Sequence, residues 1–86
     1  MEAEEYQVNL EWKANRIGEI SPPILETKIA VATPPQFTGG VEGIWSPEHL
    51  FTAAVNSCFM TTFIAITEES RLKFTSFTCE AKGKLE

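Results

Sequence analysis

The sequence predicts an α+β fold, in which antiparallel strands at the N-terminus are followed by one long buried central helix and then by a further strand. Two observations lead to this prediction: polar and apolar residues alternate along residues 6–12, and residues 50–66 contain no charged side chain. The 86 residues fit one small domain over residues 1–86. A chain of this length buries only about 60–65% of its unfolded surface, so its core by itself is marginal.

The N-terminal strands are predicted from the pattern along residues 6–33. The period of two over residues 6–12 indicates a half-buried strand. Asn15 and Gly18 are turn residues, so residues 13–18 are expected to start a hairpin. The prolines at 22 and 23 interrupt the return strand, because proline cannot donate to a ladder, and residues 24–33 resume extended structure. The apolar face of the first strand holds Tyr6, Val8, Leu10 and Trp12.

The central helix is predicted over about residues 47–69. The loop before it, residues 34–46, is rich in proline and glycine, which exclude a regular element there. Ser46 offers an N-cap oxygen, Pro47 suits the first helical position, and Glu48 lies where the macrodipole favours an anion. Apolar residues lie on nearly every face of the helix, so we expect protein to surround it.

After the helix, residues 68–73 are expected to form a polar connection and residues 74–86 a strand. One face of this strand holds Phe77, Cys79, Ala81 and Leu85. This strand and the N-terminal strands are too few to envelop the helix. We therefore expect either that the chain is the first half of a larger domain or that two chains complete each other's core.

Composition argues against several classes of function. The net charge of −5, without a basic cluster, argues against nucleic acid. The uncharged run over residues 50–66 is short for a bilayer and carries polar side chains, so no membrane span is predicted. No signal peptide is recognised at the N-terminus, and a cytoplasmic, reducing location is the default. With one histidine and two cysteines, a zinc site would need carboxylates, so neither a metal site nor a cofactor is predicted.

Cys58 is the first candidate for chemistry, although a cysteine on an apolar helix often serves only to pack. A reactive thiolate needs a nearby cation or a helix N-terminus. Cys58 lies about 16 Å from the start of its helix at 1.5 Å per residue, so the helix dipole does not reach it. A cation must therefore come from elsewhere. Arg16 at the hairpin turn is suggestive, and Lys13 and Lys28 are alternatives.

Three other residues are weak candidates when taken singly. Glu48 complements the macrodipole in the first turn, and His49 is expected to face solvent at the start of the helix. Cys79 lies on the core-facing side of the predicted last strand, where packing is the expected role rather than a disulfide.

In combination, these residues resemble a known family. The string SPEHLFTAAVNSC at 46–58 is similar to the central-helix signature of the superfamily of osmotically inducible protein C and the organic hydroperoxide resistance proteins. In that family a Pro-Glu pair opens a buried helix that leads to a reactive cysteine. Three other stretches also resemble it. LEWKANRIG at 10–18 is similar to its opening strand and Arg-x-Gly turn, PPQFTGGVEGIWSPE at 34–48 to its preceding loop, and FTCEAKGKL at 77–85 to its next strand.

The resemblance implies a thiol-dependent peroxidase and assigns a role to three residues. Cys58 falls on the family's peroxidatic cysteine, Glu48 on its helix-opening glutamate and Arg16 on its turn arginine. Arg16 would stabilise the thiolate as a permanent cation, and Glu48 would hold the guanidinium. The thiolate would attack an organic hydroperoxide or hydrogen peroxide. An external dithiol of the lipoyl type would act as reductant.

Helix geometry constrains this site. Glu48 and Cys58 are ten residues apart, about 15 Å along a straight helix, so they cannot share one arginine unless the helix breaks or two chains contribute. We therefore expect a homodimer with the site across its interface, which agrees with the intertwined dimers that the family implies. The family's resolving cysteine lies on a later helix, beyond residue 86, so turnover is expected to be impaired.

Two other interpretations are open. The chain could keep this fold as a non-catalytic dimerisation or small-ligand-binding module, with Cys58 serving only to pack. It could also be a truncated product without independent function. The substitution Arg16→Ala separates the first of these from the peroxidase, because it slows alkylation of Cys58 only if the two residues pair.

Overall fold

A computed structural model describes residues 3–84 and confirms the α+β class, with three antiparallel strands followed by one long helix. Strand β1 spans Asn9–Ala14, β2 spans Ile17–Ser21 and β3 spans Ile29–Ala32, and helix α1 spans Pro47–Glu69. The chain divides into two compact units, Met1–Pro47 and Glu48–Glu86. The strands therefore belong to the first unit and nearly all of the helix to the second.

The first unit is built on a three-stranded sheet in the order β1-β2-β3, with both pairs antiparallel. The predicted hairpin between β1 and β2 is confirmed. Asn15 takes the left-handed conformation in its turn, with φ of 50°, and its carbonyl accepts a hydrogen bond from Nε1 of Trp12 at 2.8 Å. The prediction that Gly18 is a turn residue is wrong, because Ala14 already pairs with Ile17 and Gly18 lies inside β2.

The prediction that the apolar face of the first strand is buried is also wrong. Tyr6 and Val8 precede β1, and Leu10 and Trp12 within it are 68% and 72% exposed. Within its unit, β1 contacts β2, which lies beside it in the plane of the sheet and covers neither face. An alternating pattern shows that a strand has two chemically different faces, but not whether the chain supplies a cover for the apolar one.

The second extended stretch is shorter than the predicted residues 24–33. Strand β2 ends at Ser21, as the following prolines predict, and the β2–β3 register pairs Ile20 with Ile29. Residues 24–28 therefore lie outside the ladder. Among residues 3–84, Ala32 at the end of β3 is the one fully buried apolar residue.

The loop before the helix lacks a helix or strand, as predicted, but it is held by backbone hydrogen bonds at both ends. The amide of Val41 donates to the carbonyl of Thr33 at 3.0 Å, and the amide of Ala32 donates to the carbonyl of Trp45 at 2.9 Å. A parallel bridge joins Val31 to Trp45. The end of the loop is thereby fixed to β3 just before the helix begins.

Helix α1 begins and ends where the sequence predicts. Pro47 is its first residue, and Ser46 before it is buried. At the other end Arg71 has a φ of 57°, its amide donates to Glu68, and the amide of Leu72 donates to Thr67 at 2.9 Å. These bonds form a Schellman motif, which ends helices and is usually built with glycine at the left-handed position.

The strand predicted over residues 74–86 does not form in the described part, residues 74–84, and Leu85 lies outside the described residues. A strand needs a neighbouring strand to pair with, and in the second unit the described residues, 48–84, form a helix and no strand. The segment packs along α1 instead: the ring of Phe63 lies 4.9 Å from that of Phe77 and 5.5 Å from that of Phe74. The side-chain amide of Asn56, through Nδ2, also donates to the backbone carbonyl of Cys79 at 3.1 Å.

The cover predicted for the central helix is largely missing in this single chain. Among the described residues of α1, Thr67 is the one that is fully buried, and Phe51, Val55 and Phe59 are 74%, 59% and 57% exposed. By length and composition alone, α1 is also apolar enough to cross a membrane, with a mean hydropathy of 1.6 over 18 residues. One such helix is weak evidence for a span, because core helices of soluble proteins meet the same criteria.

Candidate active site

The predicted nucleophile and its predicted glutamate lie on one unbroken helix. Glu48 is in the first turn of α1, and Cys58 is ten residues further on in the same helix. The two residues are therefore about 15 Å apart along the axis. Both side chains are exposed, and Cys58 is a free thiol. One guanidinium cannot contact both residues of the same helix.

Cys58 lies on a side of α1 that the segment 74–84 does not cover. The helix residues that contact this segment follow one face at spacings of four, three and four: they are Thr52, Asn56, Phe59 and Phe63. Cys58 is about 200° around the axis from Asn56 and about 100° from Phe59. Its neighbours on its own side, at the same spacings, are Phe51, Val55 and Thr62, and all three are exposed.

Cys79 is not placed to form a disulfide with Cys58. Its backbone carbonyl accepts a hydrogen bond from the side chain of Asn56, on the face that segment 74–84 covers. Both cysteines are free thiols. Cys79 is also exposed, which corrects the prediction that it packs in a core. The correction follows from the missing strand, because the predicted core-facing side depended on a sheet that residues 74–84 do not join.

Arg16, the predicted cation, lies in the first unit in the turn between β1 and β2. Its carbonyl accepts a hydrogen bond from the amide of Thr33 at 3.4 Å, which ties the turn to the start of the loop before the helix. Its side chain runs past Gly39 in that loop. Within residues 3–84, Arg16 makes no ion pair with a carboxylate.

The two alternative cations are already paired with glutamates of the sheet. Lys13 lies 2.9 Å from a carboxylate oxygen of Glu11 and 3.9 Å from one of Glu19, and Lys28 lies 3.9 Å from the same Glu19 oxygen. The hydrogen bond and charge of Lys13 lower the pKa of Glu11, and Glu11 in turn raises the pKa of Lys13. Of the three candidates, Arg16 is the one whose charge is not already directed at an acidic side chain.

The structure thus adds two features to the predicted site that sequence reasoning missed. The first is the contact between Gly39 and the Arg16 side chain, for which the adjacent glycines at 39 and 40 were the available signal. The second is the packing of residues 74–84 on one face of α1, signalled by Phe74 and Phe77. The described residues 3–84 contain no cluster of three or more side chains suited to a metal ion.

Comparison with known proteins places the helical part of the chain in a family. The family model described as OsmC-like protein matches residues 39–86, which is more than half of the chain. This range contains Glu48 and Cys58, and Arg16 lies before it. No curated protein and no solved structure matches the chain. The match to the family model shows that this chain belongs to the OsmC-like protein family.

Proposed function

We propose that this protein is a thiol-dependent peroxidase that reduces organic hydroperoxides or hydrogen peroxide with Cys58 as its nucleophile. Membership of the OsmC-like family supports a peroxidase or stress-related role. The observation that carries the proposal is the position of Cys58. It is a free, exposed thiol on the helix that Pro47 and Glu48 open, inside the range that matches the family.

The chemistry proceeds in three steps, one that oxidises Cys58 and two that reduce it again. The Cys58 thiolate attacks one peroxide oxygen and the O–O bond breaks; the leaving alkoxide or hydroxide takes a proton, and Cys58 is left as a sulfenic acid. An external dithiol then attacks the sulfenic sulfur and releases water. Its second thiol breaks the resulting mixed disulfide, which restores Cys58 and oxidises the dithiol. Cys79 is not the proposed resolving thiol, because it is held on a different side of α1 from Cys58.

Arg16 is the cation that we propose for the thiolate. A guanidinium stays charged at every pH at which a protein is folded, so it stabilises an anion without titrating itself. Lys13 and Lys28 are less suited, since each already lies within 4.0 Å of a glutamate. Glu48 has no ion-pair partner among residues 3–84 and would hold the guanidinium in place through a charge-assisted hydrogen bond.

We further propose that the active form is a homodimer, with Cys58 of one chain meeting Arg16 of its partner. Because α1 is unbroken from Pro47 to Glu69, Glu48 and Cys58 of one helix cannot share an arginine. The exposed apolar side chains of α1 also need a cover that a second helix can provide. Members of this family are soluble proteins, and we assign this chain to the cytoplasm, where thiols stay reduced.

The test is the rate at which cumene hydroperoxide adds one oxygen to Cys58 at pH 7, followed by intact mass with Cys79→Ser as the background. Fast addition that Arg16→Ala slows by tenfold or more supports the peroxidase. The matched control is Lys28→Ala, which removes a cation already paired with Glu19 and should leave the rate unchanged. If a folded dimer does not react, the peroxidase proposal is wrong.

The alternative is a non-catalytic dimerisation or small-ligand-binding module with the same fold. The exposed side chains of Phe51, Val55 and Phe59 favour it, since an apolar surface is all that such a module requires. In that case Arg16→Ala leaves the alkylation rate of Cys58 unchanged. This alternative would be established by a stable dimer that does not react with hydroperoxide and in which Arg16→Ala leaves the alkylation rate of Cys58 unchanged.

A further inference from the structure

The side chain of Arg16 is seated against the bare backbone of Gly39. A methyl group at residue 39 would lie 3.1 Å from Cγ and 3.3 Å from Nε of Arg16. Carbon atoms in favourable contact are about 3.5–4.0 Å apart, so even alanine at this position would push the arginine stem away. Glycine also allows the backbone φ of 81° that residue 39 adopts.

The loop that carries Gly39 is fixed on both sides of it. The amide of Phe37 donates to the carbonyl of Pro34 at 3.1 Å, and the amide of Gly40 donates to the carbonyl of Phe37 at 2.9 Å. A methyl group at Gly40 would overlap the Pro34 carbonyl, so the loop closes tightly at this point. The amide of Val41 donates to Thr33, the residue whose own amide donates to the carbonyl of Arg16.

We infer that Gly39 is a positioning residue for Arg16. Its Cα, held by the closed loop, is the surface on which the aliphatic stem of Arg16 rests, and this contact limits the directions in which the guanidinium can point. The inference rests on the proposed function, because it concerns the orientation of the Arg16 guanidinium that is proposed to stabilise the Cys58 thiolate. An arginine side chain that is mobile before it binds loses many rotamers when it becomes ordered. If Gly39 already restricts the side chain of Arg16, the entropic cost of the contact with the Cys58 thiolate is lower.

Gly43 is a matched control in the same loop. Its φ is 79°, nearly the same as that of Gly39, but a methyl group there would have no neighbour within 4 Å. Alanine therefore introduces the same backbone strain at both positions, and only at residue 39 does it also displace Arg16. We expect Gly39→Ala to slow the oxidation of Cys58 by about three- to tenfold and Gly43→Ala to change it by less than about twofold.

A double variant separates positioning from general damage. In the Arg16→Ala background there is no stem to displace, so adding Gly39→Ala should slow the reaction no further than adding Gly43→Ala does. A second readout is independent of reactivity. In the unmodified chain, NMR should show contacts between the α-protons of Gly39 and the side-chain protons of Arg16, even if the variants fold poorly.

The outcomes distinguish this inference from the proposed function. If Arg16→Ala slows the reaction but Gly39→Ala behaves like Gly43→Ala, the positioning role is overturned and the peroxidase stands. If Arg16→Ala has no effect, the proposed site fails and the positioning role fails with it. If the NMR contacts are missing from a folded sample, the seat itself is refuted whatever the rates show.

Discussion

A site shared between two chains makes a sharp prediction about mixtures of an inactive variant with a slow one. Arg16→Ala retains the nucleophile without its cation, and Cys58→Ser retains the cation without the nucleophile. If Cys58 of one chain meets Arg16 of the other, a mixed dimer contains one intact site. If both residues act within one chain, a mixed dimer contains none.

The size of the effect follows from thiolate chemistry and from the symmetry of pairing. An ordinary cysteine is only about 3% thiolate at pH 7, so a cation that ionises it fully raises its reactivity by at most about thirtyfold. Random pairing of equal amounts makes half of the dimers mixed, and each has one intact site out of two. The mixture should therefore recover about one quarter of the wild-type sites.

The assay measures the amplitude of the fast phase of hydroperoxide consumption by each sample, at the wild-type rate, before a reductant is added. The two variants are exchanged in mild urea, diluted together and compared with each variant treated alone. The control is Arg16→Ala mixed with a chain that carries both Arg16→Ala and Cys58→Ser. That mixture forms the same dimers but has no arginine to donate, so it should recover nothing.

Two results would refute the reasoning. One is a mixture that forms dimers by analytical ultracentrifugation and yet regains no activity, which would place the arginine in the same chain as its cysteine or outside the site. The other is a wild-type rate that persists at concentrations where the protein is monomeric. Either result would leave the exposed apolar side of α1 without a role in catalysis.

Three further predictions test the structure around the site. Phe77→Ala should lower the free energy of unfolding in urea by about 2–3 kcal/mol, because it removes the stacking on Phe63 and part of the cover of the helix, whereas Phe77→Leu should cost less. Arg71→Gly should raise the free energy of unfolding by about 0.5–1 kcal/mol, since the left-handed position no longer holds a side chain. An unchanged urea midpoint would contradict the Schellman motif at the end of α1. Lys13→Met should raise the pKa of Glu11 towards its ordinary value of 4.5 in an NMR titration. Because the pKa of Glu11 is lower in the folded chain, the Glu11–Lys13 ion pair stabilises the hairpin at pH values above 4.5. This stabilisation is lost as the pH falls through the lowered pKa of Glu11, so the stability of Lys13→Met should lack this dependence on pH.

The helix could be predicted closely from the sequence, and the strand after it could not. The start of α1 depends on local signals, Pro47 and Glu48, which act within one turn and need no distant partner. A strand depends on a ladder supplied by another part of the chain or by another chain. Residues 74–84 do alternate between polar and apolar side chains, but their aromatic residues, Phe74 and Phe77, pack against a face of α1 and not within a sheet.

The positions of the candidate site residues were predictable to different degrees, and their roles stay predictions. Cys58 and Glu48 follow from a motif contained within one helix, so sequence spacing fixes their separation. The contact between Arg16 and Gly39 joins two loops separated by more than twenty residues, and no local rule connects them. The pairing of Lys13 and Lys28 with Glu19 likewise depends on contacts between separate parts of the chain. These pairs leave Arg16 as the candidate cation, of the three, that has no carboxylate partner among residues 3–84.

Covering the Cys58 side of α1 is not enough to activate the thiol. Removing water from a thiolate favours its neutral form, so a partner that only buries this side makes Cys58 less reactive than it is in the single chain. A partner that brings Arg16 into the same dry interface has the opposite effect, because the attraction between the charges strengthens as water leaves. The sign of the change in Cys58 reactivity with rising protein concentration therefore separates the two functions: an increase requires a cation at the interface and favours the peroxidase, and a decrease indicates the non-catalytic module.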